Sequence, residues 1–261
     1  MSAAFPPPGY PPPPSRVATR LFERYVRRQA GRHFAGVHWS VRVRPLSWDA
    51  GIPTIFVANH TNWWDGFLAF LVTRSLGLGF QVLMEARHLE RYRAFRRLGA
   101  LPIRRGRPRE AYADLTAAVS YLRSGIGLWI FPQGERRAPT EPLERCERGA
   151  AHLAIAYGRP IRFCPVAFRY GFLGEQLPEA FVLVGEEWLH QPAERAGRAA
   201  LTAGIERRLA GTIGALDLLM GEERLTEFAC LASGRMSVNK RLDRFRHGLG
   251  LLGGRFEARN G

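Results

Sequence analysis

The sequence predicts an α/β fold: a single domain in which a mixed, mostly parallel sheet is flanked by helices. Three observations predict it. Short apolar runs, many of them rich in β-branched residues, recur at 54–58, 79–84, 127–131, 160–168 and 180–184. Stretches of helical period lie between them at 63–74, 89–98, 109–124 and 148–157. The chain has 261 residues and is 46% hydrophobic, enough to build one large core. Strands and helices in alternation place helices on both faces of a sheet. No internal repeat or compositional break divides the chain.

Four zones are expected. Residues 1–15 form a proline-rich, extended tail, with Pro6–Pro8 and Pro11–Pro14. Its start has neither the charged n-region nor the apolar h-region of a secretory signal. Residues 16–35 hold a basic amphipathic helix. Val17, Leu21, Phe22, Tyr25 and Val26 fall on one side, and Arg16, Arg20, Arg24, Arg27 and Arg28 spread over the rest. Such a helix can lie in a bilayer interface or pack on the domain core, and periodicity does not separate the two. Residues 36–232 form the domain, and 233–261 a basic extension with a helix around Leu242 and Phe245.

Within the domain, 38–45 alternates like a strand, with Trp39, Val41 and Val43 on one side, and a turn follows at Asp49–Gly51. The strand 54–58 comes after Gly51 and Pro53. Asn62 is placed to cap the helix from Trp63 to Arg74. The helix 89–98 carries Arg91, Arg93, Arg96 and Arg97. The segment 99–106 is a strand end running into a loop. The helix 109–124 buries Leu115, Val119 and Leu122. From 192 to 230 the pattern is mostly helical.

Charge narrows the function classes. The net charge is +15 and the pI about 11.0, and all 38 basic residues but Lys240 are arginine. Such a surface attracts anionic membranes, nucleic acid or an acidic carrier protein. A basic nucleic-acid-binding protein is disfavoured, because the arginines are scattered and no binding module or basic–aromatic repeat is present. Cys146, Cys164 and Cys230 are widely spaced free thiols that fit a reducing compartment, and no Cys/His cluster has zinc spacing. No metal site is expected. No window reaches the roughly 18 uninterrupted apolar residues of a membrane span, so peripheral contact with the cytoplasmic face of a membrane is expected.

The chemistry lies in two strand-end loops. His60 and Asp65, with four residues between them, stand where the strand 54–58 meets the next helix. A turn there can swing Asp65 beside His60. A carboxylate can hold one imidazole N–H and leave the other nitrogen free to take a proton from an alcohol. The strand 127–131 runs into Pro132-Gln133-Gly134-Glu135-Arg136-Arg137. Gly134 permits close backbone approach, and Arg136 offers forked donors for phosphate or carboxylate. Arg104 and Arg105 supply more at another strand end. A base–carboxylate pair beside anion-binding arginines suggests group transfer involving a phosphate-bearing molecule. Trp63 and Trp64 are read as packing residues, and the other six histidines as structural or surface groups.

Asn59-His60-Thr61-Asn62-Trp63-Trp64-Asp65 resembles the N-H-x4-D block of the glycerolipid (lysophospholipid) acyltransferase family. Phe131 to Arg137 resembles that family's F-P-E-G-T-R-S block. Pro102-Ile103-Arg104-Arg105 resembles its F-I-[DE]-R block, and Cys164-Pro165-Val166-Ala167 its last, strand-borne block. The four occur in order over about residues 50–170. The resemblance implies a glycerol-phosphate acyltransferase-like fold and an O-acyltransferase that moves a fatty acyl group from acyl-CoA or acyl-carrier protein to a lipid hydroxyl. The acceptor it implies is a lysophospholipid such as 1-acylglycerol-3-phosphate, and no metal or redox cofactor is called for. It implies that Asp65 orients His60, that His60 deprotonates the acceptor, and that Arg105 and Arg136 contact its phosphate. Amides near Gly134 would hold the oxyanion.

The sequence departs from the family pattern at positions that bear on the acceptor. Gln133 stands for glutamate, Glu135 for threonine, and Arg104 for an acidic residue. Glu135 would compete for the arginine meant for phosphate. With Gln133 it would suit a hydroxyl-rich acceptor, so acylation of a glycolipid or carotenoid glycoside is the alternative. A non-catalytic membrane-surface protein is the alternative of another class.

Overall fold

β2 (Thr54–Ala58) is buried along its whole length, so both of its faces must be covered and both edges paired. The computed structural model of the chain describes residues 14–42, 51–143, 145–173, 175–192 and 197–235. In it β2 lies in the middle of a sheet. Its neighbours are β5 (Ile126–Ile130) and β6 (Ile161–Gly171), both parallel to it. β3 (Gly79–Glu85) and then β4 (Ala100–Ile103) extend the sheet beyond β5, also in parallel. On the other side β7 (Glu179–Val184) pairs antiparallel with β6 and parallel with β1 (Gly36–Val41). β8 (Trp188–His190) pairs with β6, and β9 (Ala229–Ser233) closes the far edge on β1, both antiparallel. The sheet order is β4-β3-β5-β2-β6-β7-β1-β9.

Alternation along the strands sorts the core into two layers. Phe56, Ala58, Trp129, Val166 and Phe168 face α1 (Arg16–His33) and α2 (Asp65–Ser75). Ile55, Val57, Leu128 and Ile130 face α4 (Pro108–Ala118), α5 (Gly149–Tyr157) and the first half of α6 (Arg198–Gly221). The second half of α6 sets Leu216 and Leu219 on Ala167, Phe181 and Leu183. At the sheet centre Phe56 stacks on Trp129, ring centroids 4.6 Å apart, and the indole N–H donates to Thr73 Oγ1 at 2.6 Å. Gly127, paired with Thr54, makes room for this stack, because a Cβ there would run into the Phe56 ring.

Several expectations change. The helix expected at 89–98 is broken into α3 (Ala86–Arg91) and a 3₁₀ turn, Arg93–Leu98. Leu89 and Leu98 are both buried, yet nine residues of continuous helix would place them on opposite sides, so the break at Tyr92 brings both inward. The helix at 109–124 ends at Ala118 and finishes as a 3₁₀ turn, Val119–Tyr121. α2 begins at Asp65 rather than Trp63, and Asn62 does not cap it: its Oδ1 accepts from the Trp64 amide, in the turn before the helix. The helical stretch 192–230 ends early, and its last residues belong to β9. Part of the strand expected at 38–45, most of the turn at 49–51, nearly all of the tail and the helix around Leu242 and Phe245 fall outside the described residues.

The loops after β2, β3, β4, β5 and β6 all leave from one edge of the sheet, where parallel strands end. Both expected halves of the site therefore meet there. Gly127→Ala should destabilise the fold by about 1–3 kcal/mol through overpacking against Phe56. The check is a urea transition whose midpoint falls while its slope is unchanged.

Candidate active site

Asp65 opens α2 with its side chain fully buried. A bare carboxylate there would be costly, and local hydrogen-bond donors satisfy it. Its Oδ2 accepts from the amides of Thr61 (2.7 Å) and Asn62 (2.9 Å) and stands 2.8 Å from His60 Nδ1. Its Oδ1 accepts from the hydroxyl of Tyr170 at 2.6 Å. The turn from Asn59 to Asn62 is thus wrapped around one carboxylate. With that carboxylate ionised, Nδ1 carries the proton and Nε2 is left as the acceptor. His60 keeps 24% side-chain exposure and lines a groove, so its free nitrogen is open to a hydroxyl there.

The rest of the site holds His60 by its backbone. Gln133 Oε1 accepts from the His60 amide at 2.6 Å, and the Arg137 amide donates to the His60 carbonyl at 2.8 Å. Asn59 ties the loop to β6: its Oδ1 accepts from the Phe168 amide (2.8 Å) and its Nδ2 donates to the Phe168 carbonyl (3.1 Å). The imidazole packs on Phe131, ring centroids 4.6 Å apart.

The groove has a volume of about 980 Å³. His60, Phe131, Gly134 and Arg136 line it where the two loops meet. Elsewhere its walls are mostly apolar, with Phe67, Phe80, Val82, Phe95, Leu98 and Ile103 among them, and Glu85, Arg87, His88 and Arg91 add charged and polar groups. Trp63, Tyr25 and Tyr92 stand at least nearly half exposed along it. Trp64, by contrast, is buried against Phe34, and Trp63 packs at the rim edge-on to Phe67, ring centroids 4.8 Å apart.

Residues 40–169 match the family model described as Acyltransferase. The chain belongs to the acyltransferase family. No curated protein matches it. In this acyltransferase the four sequence blocks, at 59–65, 102–105, 131–137 and 164–167, all lie within the matched span.

The structure redistributes the roles expected of the individual residues. His60, Asp65, Gly134 and Arg136 come together as expected, and Arg105 lines the same groove. Gln133, expected to touch the substrate, instead holds the His60 amide, because that is the donor its carboxamide reaches. Glu135, expected to compete for Arg136, pairs with Arg137 at 2.6 Å. Arg136 has no carboxylate partner among the described residues. The Gly134 amide, offered to an oxyanion, donates to the Phe131 carbonyl at 3.0 Å. Gly134 has φ +76°, and a Cβ there would strike the Glu147 carboxylate and the Arg105 guanidinium. Arg105 itself donates to the Gly134 carbonyl and pairs with Glu147 at 3.1 Å. Arg104 turns away and grips Asp114 through two nitrogens, at 2.6 and 2.9 Å, stapling β4 to α4.

Two contributors escape sequence reasoning. Asn59 looks like part of a motif without a task, yet it fixes the loop to β6. Tyr170 lies two residues beyond the strand end expected at Phe168; its place on the same strand face as Val166 and Phe168 was the available signal. Among the described residues no group of three or more His, Cys, Asp or Glu side chains is disposed to hold a metal ion.

The arginines give a stability test. Arg104→Ala should destabilise the fold by about 1–3 kcal/mol, because Asp114 is buried and loses its charged donor. Arg136→Ala should leave stability within about 0.5 kcal/mol. Thermal melts of the two variants check the contrast.

Proposed function

We propose that this acyltransferase moves a fatty acyl group from acyl-CoA or acyl-carrier protein to the hydroxyl of a lysophospholipid such as 1-acylglycerol-3-phosphate, in phospholipid biosynthesis. His60 is the general base. Its Nε2 takes the proton of the acceptor hydroxyl as the oxygen attacks the thioester carbonyl. The tetrahedral intermediate collapses, the C–S bond breaks, and the imidazolium returns the proton to the departing thiolate. The ester forms in one displacement with no acyl-enzyme, and the step calls for no metal or redox cofactor. Asp65 orients the imidazole and stabilises it when protonated. General-base help of this kind is worth ~10²–10⁴ in rate.

The observation that carries the reading is the 2.8 Å approach of His60 Nδ1, in the lining of a mostly apolar groove, to a fully buried, fully partnered carboxylate. The choice of a phosphate-bearing acceptor rests on Arg136. It lines the groove beside His60 and is unclaimed by Glu135, whose partner is Arg137. Gln133 Oε1 is occupied with the His60 amide, which leaves Glu135 alone of the two acceptors that would favour a sugar hydroxyl.

We read the groove rim as the face that meets the cytoplasmic surface of a membrane. α1 packs inward through Val26 and Ala30, while Val17, Leu21 and Tyr25 stay exposed. Tyr25, Trp63 and Tyr92 border the groove, and Arg91 lies over the Tyr92 ring, centroid distance 5.4 Å. Aromatic rings with adjacent arginines suit the headgroup level of an anionic bilayer. No described helix is long and apolar enough to cross a membrane.

The decisive experiment presents labelled acyl-CoA to the purified protein with a panel of lysophospholipids, glycolipids and hydroxylated terpenoids. Transfer to 1-acylglycerol-3-phosphate is expected. His60→Ala and Asp65→Ala should each lower kcat by about 10²–10⁴ with the fold intact by circular dichroism. Arg136→Ala should raise the acceptor KM at least about tenfold, the loss of one charge-assisted contact. An unchanged KM, or transfer to glycolipids alone, would reassign the acceptor. In flotation with vesicles containing anionic lipid, the double variant Leu21→Asp, Trp63→Ala should lose most of its binding, and equal binding would overturn the membrane face.

A further inference from the structure

Of the groups that touch Asp65, three serve one oxygen. The Thr61 and Asn62 amides and His60 Nδ1 all meet Oδ2, and Oδ1 has Tyr170 as its hydrogen-bond partner. Tyr170 does not line the groove, so it cannot act on substrate directly. It sits on β6 opposite Ala180 and stacks on Phe34, ring centroids 5.9 Å apart, with its hydroxyl aimed at the carboxylate. Burial first, and then the neighbouring Asp65 charge, push its phenol well above the usual range, so it remains a protonated donor throughout the working pH range.

We propose that Tyr170 is a positioning residue for acyl transfer: its hydroxyl fixes which oxygen of Asp65 faces His60 and disperses part of the carboxylate charge. The inference rests on the general-base role of His60 proposed above. The physical logic concerns the pair. A proton added to the His60–Asp65 pair, on either member, weakens the bond from Tyr170, because the acceptor charge is then neutralised or shared. The donor therefore stabilises the unprotonated pair. Removing it must raise the pH at which the pair takes up a proton, and fluorinating it must lower that pH, since ring fluorine makes the phenol a stronger donor.

Other charged groups stand near the pair. Arg105, Arg136, Glu135 and Glu147 line the groove with His60. Arg137 holds the His60 carbonyl by its amide. Arg169, next to Tyr170, is paired with Asp217 at 2.6 Å. His88 also lines the groove, and His33 lies against Trp64, so the titration must be followed at His60 itself.

The test uses the full chain with Tyr170→Phe and, separately, 3-fluorotyrosine placed at position 170, which keeps the hydroxyl and nearly the same shape. The pH–rate profile and the NMR titration of the His60 ring are measured for each. In Tyr170→Phe the acid limb and the His60 titration should move up together by about 0.5–1 pH unit. kcat at neutral pH should fall by about five- to fiftyfold, the loss of one hydrogen bond to a charged group. Acceptor KM should stay within about twofold. In the fluorotyrosine protein both should move down. A His60 titration that stays put in the fluorotyrosine protein would overturn the inference, and this protein decides the matter if Tyr170→Phe does not fold. If His60→Ala retains full activity, the general-base reading fails instead, while the NMR titration still reports whether Tyr170 tunes the pair.

Discussion

A single buried carboxylate organises this molecule. Removing an ionised carboxyl group from water carries a penalty of several kcal/mol unless hydrogen bonds replace the lost hydration. Asp65 meets that demand with four partners drawn from two places: two amides and the imidazole of its own loop, and a phenol from β6. The demand explains the local fold. Two successive amides must point inward, so the chain from Asn59 to Asn62 curls, and α2 cannot begin until Asp65. The strand β6 must run on to Tyr170 to deliver the last donor. Any chemistry performed by His60 inherits its geometry from this arrangement.

The second loop is latched onto the first rather than merely placed near it. Gln133 and Arg137 take the donor and the acceptor of the His60 peptide group, and Asn59 pairs with the Phe168 backbone. Polar groups that a β2 or β6 edge would otherwise leave unpaired at the sheet end are thereby satisfied. The arginines of these blocks divide their labour by geometry alone. Arg104 joins a strand to a helix, Arg105 shapes the bend at Gly134, and Arg136 keeps its guanidinium for the groove.

Much of the architecture was legible because burial and period agree. The run 54–58 reads as a strand and is one; 79–84, 127–131 and 180–184 follow suit to within one residue at each end. Pattern failed where a tertiary demand outvoted it. The break at Tyr92 follows from burying both Leu89 and Leu98, which no local signal announces. β9 was absorbed into a helical stretch because only Leu231 and Ala232 of its five residues are buried, too few to show an alternation. At the site, residue types and spacing brought out His60, Asp65 and Arg136. They could not assign Gln133 or Glu135, since a carboxamide and a carboxylate beside an arginine look alike whether they meet substrate or backbone. Tyr170 was invisible for a related reason: its task depends on an atom 105 residues away in sequence.

The Gln133 carboxamide carries one more implication. With a glutamate here, as in the family pattern, the latch onto the His60 amide would be an ion, open to neutralisation by acid. Here the same clasp is made by a neutral group. Acidification leaves it intact, and position 133 adds no negative charge beside the imidazole. The local potential is correspondingly more hospitable to an incoming anion.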